Sequence, residues 1–348
     1  MKKFIYTIVI IFTFFIGCIS SYFTYNYLNK ENSNVKSVMN EVSITESDSI
    51  NASVNKIYDA VVLIEVYNKQ NNLTASGTGF VYKKDSKSGY ILTNHHVIEN
   101  ASTIKVTFTN NKTVEAKLLG SDEYFDIAVL SIDKEYVTMV AEIGDSTKSS
   151  IGDTVFTVGS PLGSEYMGTV TKGILSGTNR QISVSTNNGN YIMDVLQTDA
   201  AINSGNSGGP LVNINGEVIG ITSMKLVKSG VEGMGFALPI EYVMNYVDDL
   251  ENGKQITRPV IGVSIIDSSY VYRGESNVQG VVVASVENGS SAYEAGLKKG
   301  DIVTKINDSE ISSSAEFRYN LYKYNVGDTI KLVINRSGET LELNVKLN

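Results

Sequence analysis

The sequence predicts a mainly β protein: two similar β-rich halves that form paired barrels, then a smaller α+β module, all behind an N-terminal hydrophobic helix. From residue 54 to about 240 the chain consists of short runs rich in β-branched residues, separated by Gly, Asn, Asp and Ser clusters. This pattern is typical of all-β barrels and sandwiches. A break near residues 144–152 divides the runs into two sets, and a different module begins at Pro259.

The N-terminus reads Met-Lys-Lys and then Phe4 to Phe23, a run whose only non-apolar members are Thr, Ser and Gly. A helix of this length spans about 30 Å, the thickness of a bilayer's hydrocarbon core. Lysines before such a helix stay in the cytoplasm, which places the rest of the chain outside the membrane. We therefore expect residues 1–28 to be a cytoplasmic stub and an uncleaved transmembrane anchor, with the folded domains outside the cell membrane.

Two other interpretations of this segment stay open. A secretory signal peptide would be removed by cleavage after about Ser20. Residues 15–18, Phe-Ile-Gly-Cys, resemble a weak lipobox, so a lipoprotein anchored at Cys18 is the other. Aromatic residues continue to Tyr27, which favours an uncleaved helix with an interfacial aromatic belt.

Composition excludes several classes of protein. Hydrophobic residues make up 42% of the chain and charged residues 19%, which is ordinary for a globular protein. The 29 Lys and Arg residues against 37 Asp and Glu, with no basic block, make nucleic acid an unfavourable partner. One Cys and two His are too few for a zinc site, and we expect neither a metal nor a cofactor. Residues 29–53, rich in Asn, Ser and Glu without periodicity, predict a flexible linker.

The two β-rich halves lie within a first folded domain, which we place at residues 54–253. Predicted strands of the first half are 60–67, 79–82, 90–93, 103–109, 116–119 and 127–132. Those of the second half are 154–158, 169–175, 192–197, 210–212, 218–223 and 235–238. Apolar residues at helical spacing predict a helix over 240–250 that closes this domain.

Ser207 is the candidate nucleophile. It lies in the string Gly-Asn-Ser-Gly-Gly, residues 205–209. Glycines on both sides permit tight turns that point backbone N–H groups inward, as an oxyanion hole requires. The string also fits the G-x-S-x-G of α/β-hydrolases, but that order needs a His after the Ser, and His96 is the last His of the chain. The remaining order is His, acid, Ser, as in chymotrypsin.

The candidate base and its acid partner precede Ser207 in the chain. His95 and His96 stand where an apolar strand ends and a turn begins, a usual position for a catalytic base. Asp126 stands at the head of the apolar strand Ile-Ala-Val-Leu, where a carboxylate can be desolvated and can hold an imidazole. One of the two histidines is therefore expected to pair with Asp126.

Residues 54–348 resemble the HtrA (DegP-like) family of serine proteases, which carry a C-terminal PDZ domain. The resemblance rests on motifs that occur in the family's order, at residues 93–98, 126–130, 159–163, 168–174 and 197–211. It implies a chymotrypsin-like double β-barrel protease domain followed by a small α+β PDZ domain at 258–348. It also implies that His96, which directly precedes Val, is the base, that Asp126 orients it and that Ser207 is the nucleophile.

The resemblance implies further site residues in the protease domain. Backbone N–H groups of Gly205, Asn206 and Ser207 would form the oxyanion hole, while Asp199 would be structural. The preferred substrate side chain before the scissile bond would be small or medium and aliphatic. Chain position then gives a tentative substrate pocket of Ala201, Thr222, Ser223, Met224, Gly235 and Phe236.

The C-terminal module carries its own expected site. Val260-Ile261-Gly262-Val263 resembles the PDZ carboxylate-binding loop, beside which a peptide with a hydrophobic C-terminus adds as a strand. Predicted strands are 281–286, 302–306, 329–335 and 341–347, and predicted helices are 291–295 and 314–322. The resemblance also implies regulation through a switching loop, here Gly177 to Tyr191, with Arg180 as its tentative relay residue.

The resemblance finally implies an activity and its partners. These are a membrane-anchored, ATP-independent endopeptidase that degrades unfolded or damaged proteins outside the cytoplasmic membrane, in protein quality control and the stress response. Homotrimers or larger homo-oligomers are implied as well. The alternative is a non-catalytic chaperone or PDZ scaffold on a protease fold. The presence of all three residues, His96, Asp126 and Ser207, argues against this alternative.

Overall fold

The computed structural model describes residues 2–39, 45–161, 163–186, 189–223, 233–272 and 278–348. They fall into two compact units, one that ends at Ala52 and one that runs from Ser53 to the C-terminus. The first unit contains helix α1, Lys2–Met39, and the start of helix α2, Thr45–Ile57. Apolar side chains of α1, among them Phe12, Phe15 and Phe23, are exposed. In the part of the chain that the structure describes, no helix combines the length and apolar character needed to cross a membrane.

Helices α1 and α2 extend into residues 29–53, which the sequence predicts as a flexible linker. The last turns of α2 belong to the second unit and are held by tertiary contacts. Ile57 is fully buried, the Ser53 hydroxyl donates to the Ile214 carbonyl, and the Lys56 ammonium group donates to the Asn215 carbonyl at 2.8 Å. Such packing stabilises a helix whose sequence alone is a weak helix former.

The first β-barrel is closed, with the strand order β1-β2-β3-β6-β5-β4. Its core includes the fully buried Val62, Ile64 and Val66, which alternate along β1 toward one face. All strands predicted for this half are present. Their bounds are β1 Val61–Tyr67, β2 Leu73–Lys84, β3 Ser88–Thr93, β4 Thr103–Phe108, β5 Thr113–Asp122 and β6 Ile127–Asp133.

The second half forms a sheet in the order β11-β8-β9-β10-β13-β12-β7, and a further pairing of β11 with β12 closes it into a second barrel. The bounds are β7 Glu142–Ile143, β8 Thr154–Gly159, β9 Thr169–Thr186, β10 Gly189–Thr198, β11 Pro210–Asn213, β12 Glu217–Thr222 and β13 Gly235–Pro239. The predicted strands are again present, and the pairing of sequence halves into two barrels is confirmed.

The hairpin of β9 and β10 corrects one prediction. Residues Gly177 to Tyr191 were expected to form a switching loop, but the described residues 181–186 pair in antiparallel register with 189–194. The alternation of Ile182 and Val184 between polar residues is the strand pattern that the loop interpretation overlooked.

Helix α4, Ile240–Glu251, packs the end of the second barrel onto the first. It buries Ile240, Val243, Val247 and Leu250, which follow the predicted helical spacing. A Cβ at Gly120 of β5 would lie 2.5 Å from the Leu250 carbonyl oxygen. The glycine therefore permits the helix to lie directly on the first barrel.

The C-terminal module is a sheet in the order β14-β15-β16-β18-β19, with β17 paired to β16. Its strands are β14 Val263–Asp267, β15 Val281–Val286, β16 Ile302–Ile306, β17 Ser309–Glu310, β18 Thr329–Arg336 and β19 Glu339–Lys346. Its helices are α5 Ser268–Tyr272, α6 Ser291–Glu294 and α7 Ser314–Leu321. The sequence predicted the elements of this module except β14, at the edge of the sheet, helix α5 and the two-residue strand β17.

Candidate active site

The start of the short helix α3, His95–Ile98, is tied to the segment that carries Asp126. Asn94, between β3 and α3, is fully buried. Its side-chain amide donates to the backbone carbonyl of Asp126 at 2.8 Å. This bond brings together two segments that are far apart in the chain.

The Asp126 carboxylate holds the ring of His96 in one orientation. Oδ1 accepts from the backbone N–H of His96 at 3.0 Å, and Oδ1 and Oδ2 lie 2.9 Å and 2.8 Å from its Nδ1. Because an ionised carboxylate only accepts, Nδ1 carries the proton and Nε2 presents a lone pair. In that tautomer His96 can take a proton from a hydroxyl group.

Ser223 completes the surroundings of Asp126. Its hydroxyl donates to Oδ2 of Asp126 at 3.1 Å, and both residues are buried. Hydrogen bonds of this kind offset the desolvation of a buried carboxylate. The sequence predicted that Ser223 lines the substrate pocket, but in the structure its hydroxyl is hydrogen-bonded to the Asp126 carboxylate.

The two neighbouring histidines make different contacts. Nδ1 of His95 lies 3.1 Å from Oγ of Ser121, while Nδ1 of His96 lies against Asp126. Successive positions of a helix point in different directions, so only one of the two rings meets the carboxylate. The geometry supports the choice of His96 as the base.

Ser207 lies in a turn that is fixed to both barrels. Gly205 and Gly208 on either side have φ values of 101° and 84°, a region open to glycine. The N–H of Thr78 on β2 donates to the Ser207 carbonyl at 2.8 Å, and the N–H of Gly208 donates to the Thr222 carbonyl at 2.9 Å. The turn from Gly205 to Gly208, called here the nucleophile turn, is therefore anchored by hydrogen bonds to both barrels.

Gly77 of β2 lies close to Val97, which follows the candidate base, and to the backbone of the candidate nucleophile. A Cβ at Gly77 would lie 2.6 Å from Cγ1 of Val97 and 3.1 Å from the carbonyl oxygen of Ser207. Val97 directly follows His96 in α3. The structure therefore brings His96, Asp126 and Ser207 to the place where the barrels meet.

One of the three N–H groups predicted to form the oxyanion hole already has a hydrogen-bond partner within the protein. The N–H of Asn206 donates to the Asn203 carbonyl at 3.0 Å within the turn. It is therefore not aimed at a substrate oxygen, which counts against its predicted role. The assignment of the N–H groups of Gly205 and Ser207 to the oxyanion hole stays a prediction.

Two polar residues near the turn are structural. Thr222, predicted to line the pocket, is fully buried, and its hydroxyl points to the carbonyl oxygens of Asn206 at 2.7 Å and Gly209 at 3.1 Å. The carboxylate of Asp199 accepts from the N–H of Ile174 at 2.6 Å. Asp199 thus has a backbone partner, as expected for a structural residue.

The remaining residues predicted to line the substrate pocket differ in how deeply they are buried. Phe236 is buried, Ala201 is exposed, and a Cβ at Gly235 would lie 2.5 Å from Cγ1 of Ile202. Met224 lies outside the described residues. Gly235 packs against Ile202, and the assignment of Ala201, Gly235 and Phe236 to a substrate pocket stays a prediction.

Helix α7 connects the C-terminal module to the β9–β10 hairpin. The Tyr319 hydroxyl lies 2.9 Å from both carboxylate oxygens of Asp194, and Nε2 of Gln181 donates to it at 2.6 Å. Nη1 of Arg318 donates to the Asn190 carbonyl at 3.2 Å. Burial, together with the hydrogen bond to Asp194, raises the pKa of Tyr319 to about 12, so its hydroxyl remains a donor near neutral pH.

Arg180, the predicted relay residue, takes no part in this contact. It is exposed and pairs with Val195 in the β9–β10 ladder. Side chains of the hairpin that contact α7 include Gln181, Asp194 and Tyr191, whose ring centroid lies 5.6 Å from the Arg318 guanidinium. The hairpin contacts the C-terminal module through residues other than Arg180, and the regulatory role of this segment stays a prediction.

Arg258 forms a second contact between the domains that the sequence did not predict. Its Nη2 pairs with the Asp122 carboxylate at 2.5 Å. The guanidinium group lies 4.9 Å, 4.8 Å and 5.8 Å from the ring centroids of Tyr124, Phe125 and Tyr322. Tyr322 follows α7, whereas the other partners belong to the first barrel, so these cation–π contacts span both domains.

A groove of about 620 Å³ lies between β14 and α7. Its walls include Ile265 of β14 and Phe317 and Leu321 of α7, and the predicted loop Val260–Val263 lies at its lining as well. A groove beside an edge strand, with apolar side chains in its walls, is the arrangement that binds an extended peptide by strand addition. A groove therefore lies beside the loop that the sequence predicts to bind a peptide C-terminus.

The hydrogen bonds of the loop indicate which N–H groups face this groove. The N–H of Val260 donates to the Asn348 carbonyl at 3.0 Å, so it has a partner within the module. The N–H of Glu287 donates to the Gly262 carbonyl at 2.9 Å. Because bonded positions alternate along an antiparallel ladder, we expect the N–H of Val263 to face away from β15, toward the groove.

Two family models match this chain. Residues 77–221 match the model of the trypsin-like peptidase domain, and residues 259–347 match that of the PDZ domain. The first range runs from within β2 of the first barrel to within β12 of the second, and the second range covers the C-terminal module.

Named relatives and solved structures agree with these models. The chain is 38% identical to the serine protease Do-like HtrA of Lactococcus lactis subsp. cremoris, over 92% of this chain and 87% of the relative. It is 42% identical to the serine protease Do-like HtrB of Bacillus subtilis, over 87% and 72%. The serine endoprotease from Yersinia pestis superposes with a TM-score of 0.65 at 32% identity, over 86% of this chain and 97% of that one. The HtrA-type protease AlgW with a decapeptide gives 0.66 at 29%, over 85% and 97%.

Proposed function

Because this chain belongs to the HtrA family of serine proteases, and is thus a trypsin-like serine endopeptidase with a PDZ domain, we propose that His96, Asp126 and Ser207 are its catalytic triad. The observation that carries the proposal is the contact of the buried Asp126 carboxylate with both Nδ1 and the backbone N–H of His96. This contact fixes the tautomer and the direction of the ring.

In the proposed reaction, Oγ of Ser207 attacks the carbonyl carbon of the scissile peptide while its proton passes to Nε2 of His96. The oxygen that becomes negative accepts hydrogen bonds from the N–H groups of Gly205 and Ser207. Collapse breaks the C–N bond, and His96 returns the proton to the leaving amine. Water then hydrolyses the acyl group by the same route, while Asp126 stays ionised and stabilises the imidazolium.

A fluorophosphonate probe tests this assignment directly, because it reacts covalently with an activated serine. We expect one label per chain, on the peptide that contains Ser207, and hydrolysis of unfolded casein by the same preparation. An unlabelled chain that still binds peptides would instead establish a non-catalytic chaperone or scaffold.

We propose that the substrates are unfolded or damaged proteins and that cleavage needs no ATP. The groove beside β14 supports a role in capturing extended chain segments. A preference for small or medium aliphatic side chains before the scissile bond is proposed on the family resemblance. A homotrimer or a larger homo-oligomer is proposed on the family resemblance, and a monomeric mass by light scattering would contradict it.

We propose that the chain is anchored in the cytoplasmic membrane by residues 4 to about 27, with the protease and PDZ domains outside. The absence of charged residues between Phe4 and Phe23 and the exposed apolar side chains of α1 support this proposal.

Fractionation of cells that express the full-length chain tests the anchor. We expect a chain of full mass in the membrane fraction. A product that begins at a diacylated Cys18 would establish the lipoprotein interpretation, and a soluble product cleaved after about Ser20 the secreted one.

We propose that a peptide with a hydrophobic C-terminus in the PDZ groove changes the rate of cleavage. Arg318 and Tyr319 support this, because they belong to the helix that walls the groove and also contact the β9–β10 hairpin. A ligand that moves α7 would therefore act on the hairpin. Such coupling is typically about 5- to 150-fold.

Hydrolysis of a short chromogenic peptide, too small to need capture by the PDZ domain, measures this coupling. We expect saturating C-terminal hydrophobic peptide to change the rate of the wild type but not of Gly262→Arg. Tyr319→Phe, which loses the bond to Asp194, should change the size of the response. Tyr324→Phe is the matched control, because the Tyr324 hydroxyl accepts from Asn307 within the PDZ domain. Equal rates with and without peptide in the wild type would mean that the domain only recruits substrate.

A further inference from the structure

The hydroxyl of Thr78 lies behind the nucleophile turn, and we propose that Thr78 is a positioning residue that, together with Thr222, sets the direction of the N–H groups of the oxyanion hole. Neither residue was predicted to have this role. The inference rests on the proposed function of Ser207 as nucleophile and concerns how the turn around it is held.

The hydrogen bonds of Thr78 leave its hydroxyl one orientation. The side chain is fully buried. Its single proton is donated to the Gly205 carbonyl at 2.6 Å, and its oxygen accepts from the N–H of Ser160 at 3.0 Å. The backbone of Thr78 is fixed as well, since its carbonyl accepts from the Thr93 hydroxyl at 2.7 Å. Thr78 thus links β2 of the first barrel to two segments of the second.

The peptide group between Gly205 and Asn206 is held at both ends. Its carbonyl accepts from Thr78, and its N–H donates to the Asn203 carbonyl at 3.0 Å. A planar peptide bonded at both ends cannot rotate without losing both bonds. The turn is therefore fixed immediately after the N–H of Gly205.

The next peptide group, between Asn206 and Ser207, is held by Thr222. The Asn206 carbonyl accepts from the Thr222 hydroxyl at 2.7 Å and from the N–H of Gly209 at 2.9 Å. In a trans peptide the N–H points opposite to the carbonyl. The N–H of Ser207 therefore points away from Thr222, out of the interior of the second barrel.

These two threonines act on transition-state stabilisation without touching the substrate. Oxyanion donors are effective because they are aimed in advance and need no reorganisation during the reaction. Without the Thr78 hydroxyl, the buried Gly205 carbonyl loses this partner and the peptide it belongs to can turn. The expected result is a loss of kcat rather than of substrate binding.

Thr78→Val and Thr78→Ser test the proposal in the full-length protein. Valine keeps the volume and removes the hydroxyl, whereas serine keeps the hydroxyl. The matched control is Thr157→Val, because Thr157 is a fully buried threonine of β8 whose hydroxyl has no hydrogen-bond partner among the described residues. The readouts are kcat and KM for a short chromogenic peptide, and the inhibition constant of a peptide boronic acid, whose tetrahedral adduct mimics the oxyanion.

For Thr78→Val we expect kcat to fall by about 10- to 100-fold, less than the roughly 10²- to 10³-fold cost of deleting a donor. We expect KM to stay within about twofold and affinity for the boronic acid to fall by a similar factor to kcat. Thr78→Ser and Thr157→Val should behave like the wild type. Melting temperatures establish that each variant is folded, and Thr78→Cys, whose thiol is only a weak donor, provides the same test if Thr78→Val does not fold.

Equal kcat and boronic acid affinity in Thr78→Val and the wild type would overturn the proposal. A loss of the same size in Thr78→Ser would also overturn it, since the hydroxyl would not be the cause. Failure of the proposed function is a distinct result, because the wild type itself would then bind no boronic acid.

Discussion

Replacement of Ser207 by alanine is expected to abolish peptide-bond hydrolysis, with a loss in kcat on the order of 10⁶-fold. The substitution removes only the oxygen that attacks the scissile carbonyl. The backbone of the turn stays anchored by Thr78 and Thr222, so the fold and the PDZ groove should be preserved. Cleavage of casein and of a short chromogenic peptide by the purified full-length variant measures the effect.

Ser204→Ala is the matched control for this experiment. Ser204 lies in the same turn but is exposed, and its side chain has no part in the proposed reaction. It should keep wild-type turnover, and both variants should bind a C-terminal hydrophobic peptide at the PDZ domain with unchanged affinity. Casein cleavage at a near-wild-type rate by Ser207→Ala would end the assignment of Ser207 as nucleophile.

Replacement of His96 by alanine is expected to reduce kcat by a similar factor, on the order of 10⁶-fold, because members of a triad act as a unit. His95→Ala is its internal control. It removes an imidazole of the same kind from the adjacent position, where the partner is Ser121 rather than Asp126. We expect His95→Ala to keep substantial activity.

The comparison of the two histidine variants depends on equal folding, which thermal melting of both proteins establishes. Reaction with the fluorophosphonate probe provides a second readout, since Ser207 without a base should label slowly. If His95→Ala were inactive and His96→Ala active, the base would be the other histidine and the alignment of the motif would be one residue out.

Much of the fold follows from the local pattern of the chain. Short runs rich in β-branched residues predicted the strands of both barrels. Helical spacing from Ile240 to Leu250 predicted α4, because such spacing reflects which face of a helix is buried. The order of His96, Asp126 and Ser207 together with the glycines around Ser207 selected the type of chemistry, since the candidate histidines are few and the turn needs glycine.

Where the local sequence pattern is weak, tertiary contacts decide the secondary structure. Residues 181–186 carry only a short alternation, Ile182 and Val184 among polar residues, and their ladder with 189–194 makes them a strand. The end of α2 has a weak helical sequence, yet burial of Ile57 and the bonds of Ser53 and Lys56 hold it. Propensity is a weak prior that such contacts override.

What the sequence by itself determined is the order of the elements, the two domains and the residue types of the candidate triad. Only the tertiary structure decided which residues contact each other. The Ser223 hydroxyl donates to Asp126, and the Thr222 hydroxyl donates to a carbonyl of the turn around Ser207. Tyr319, and not Arg180, makes the contact at the hairpin, and Arg258 contacts aromatic rings of both domains. Each of these contacts joins residues that are far apart in the chain. Their distance and direction are set by how the barrels and the PDZ domain pack, and no periodicity or spacing within one segment contains that information.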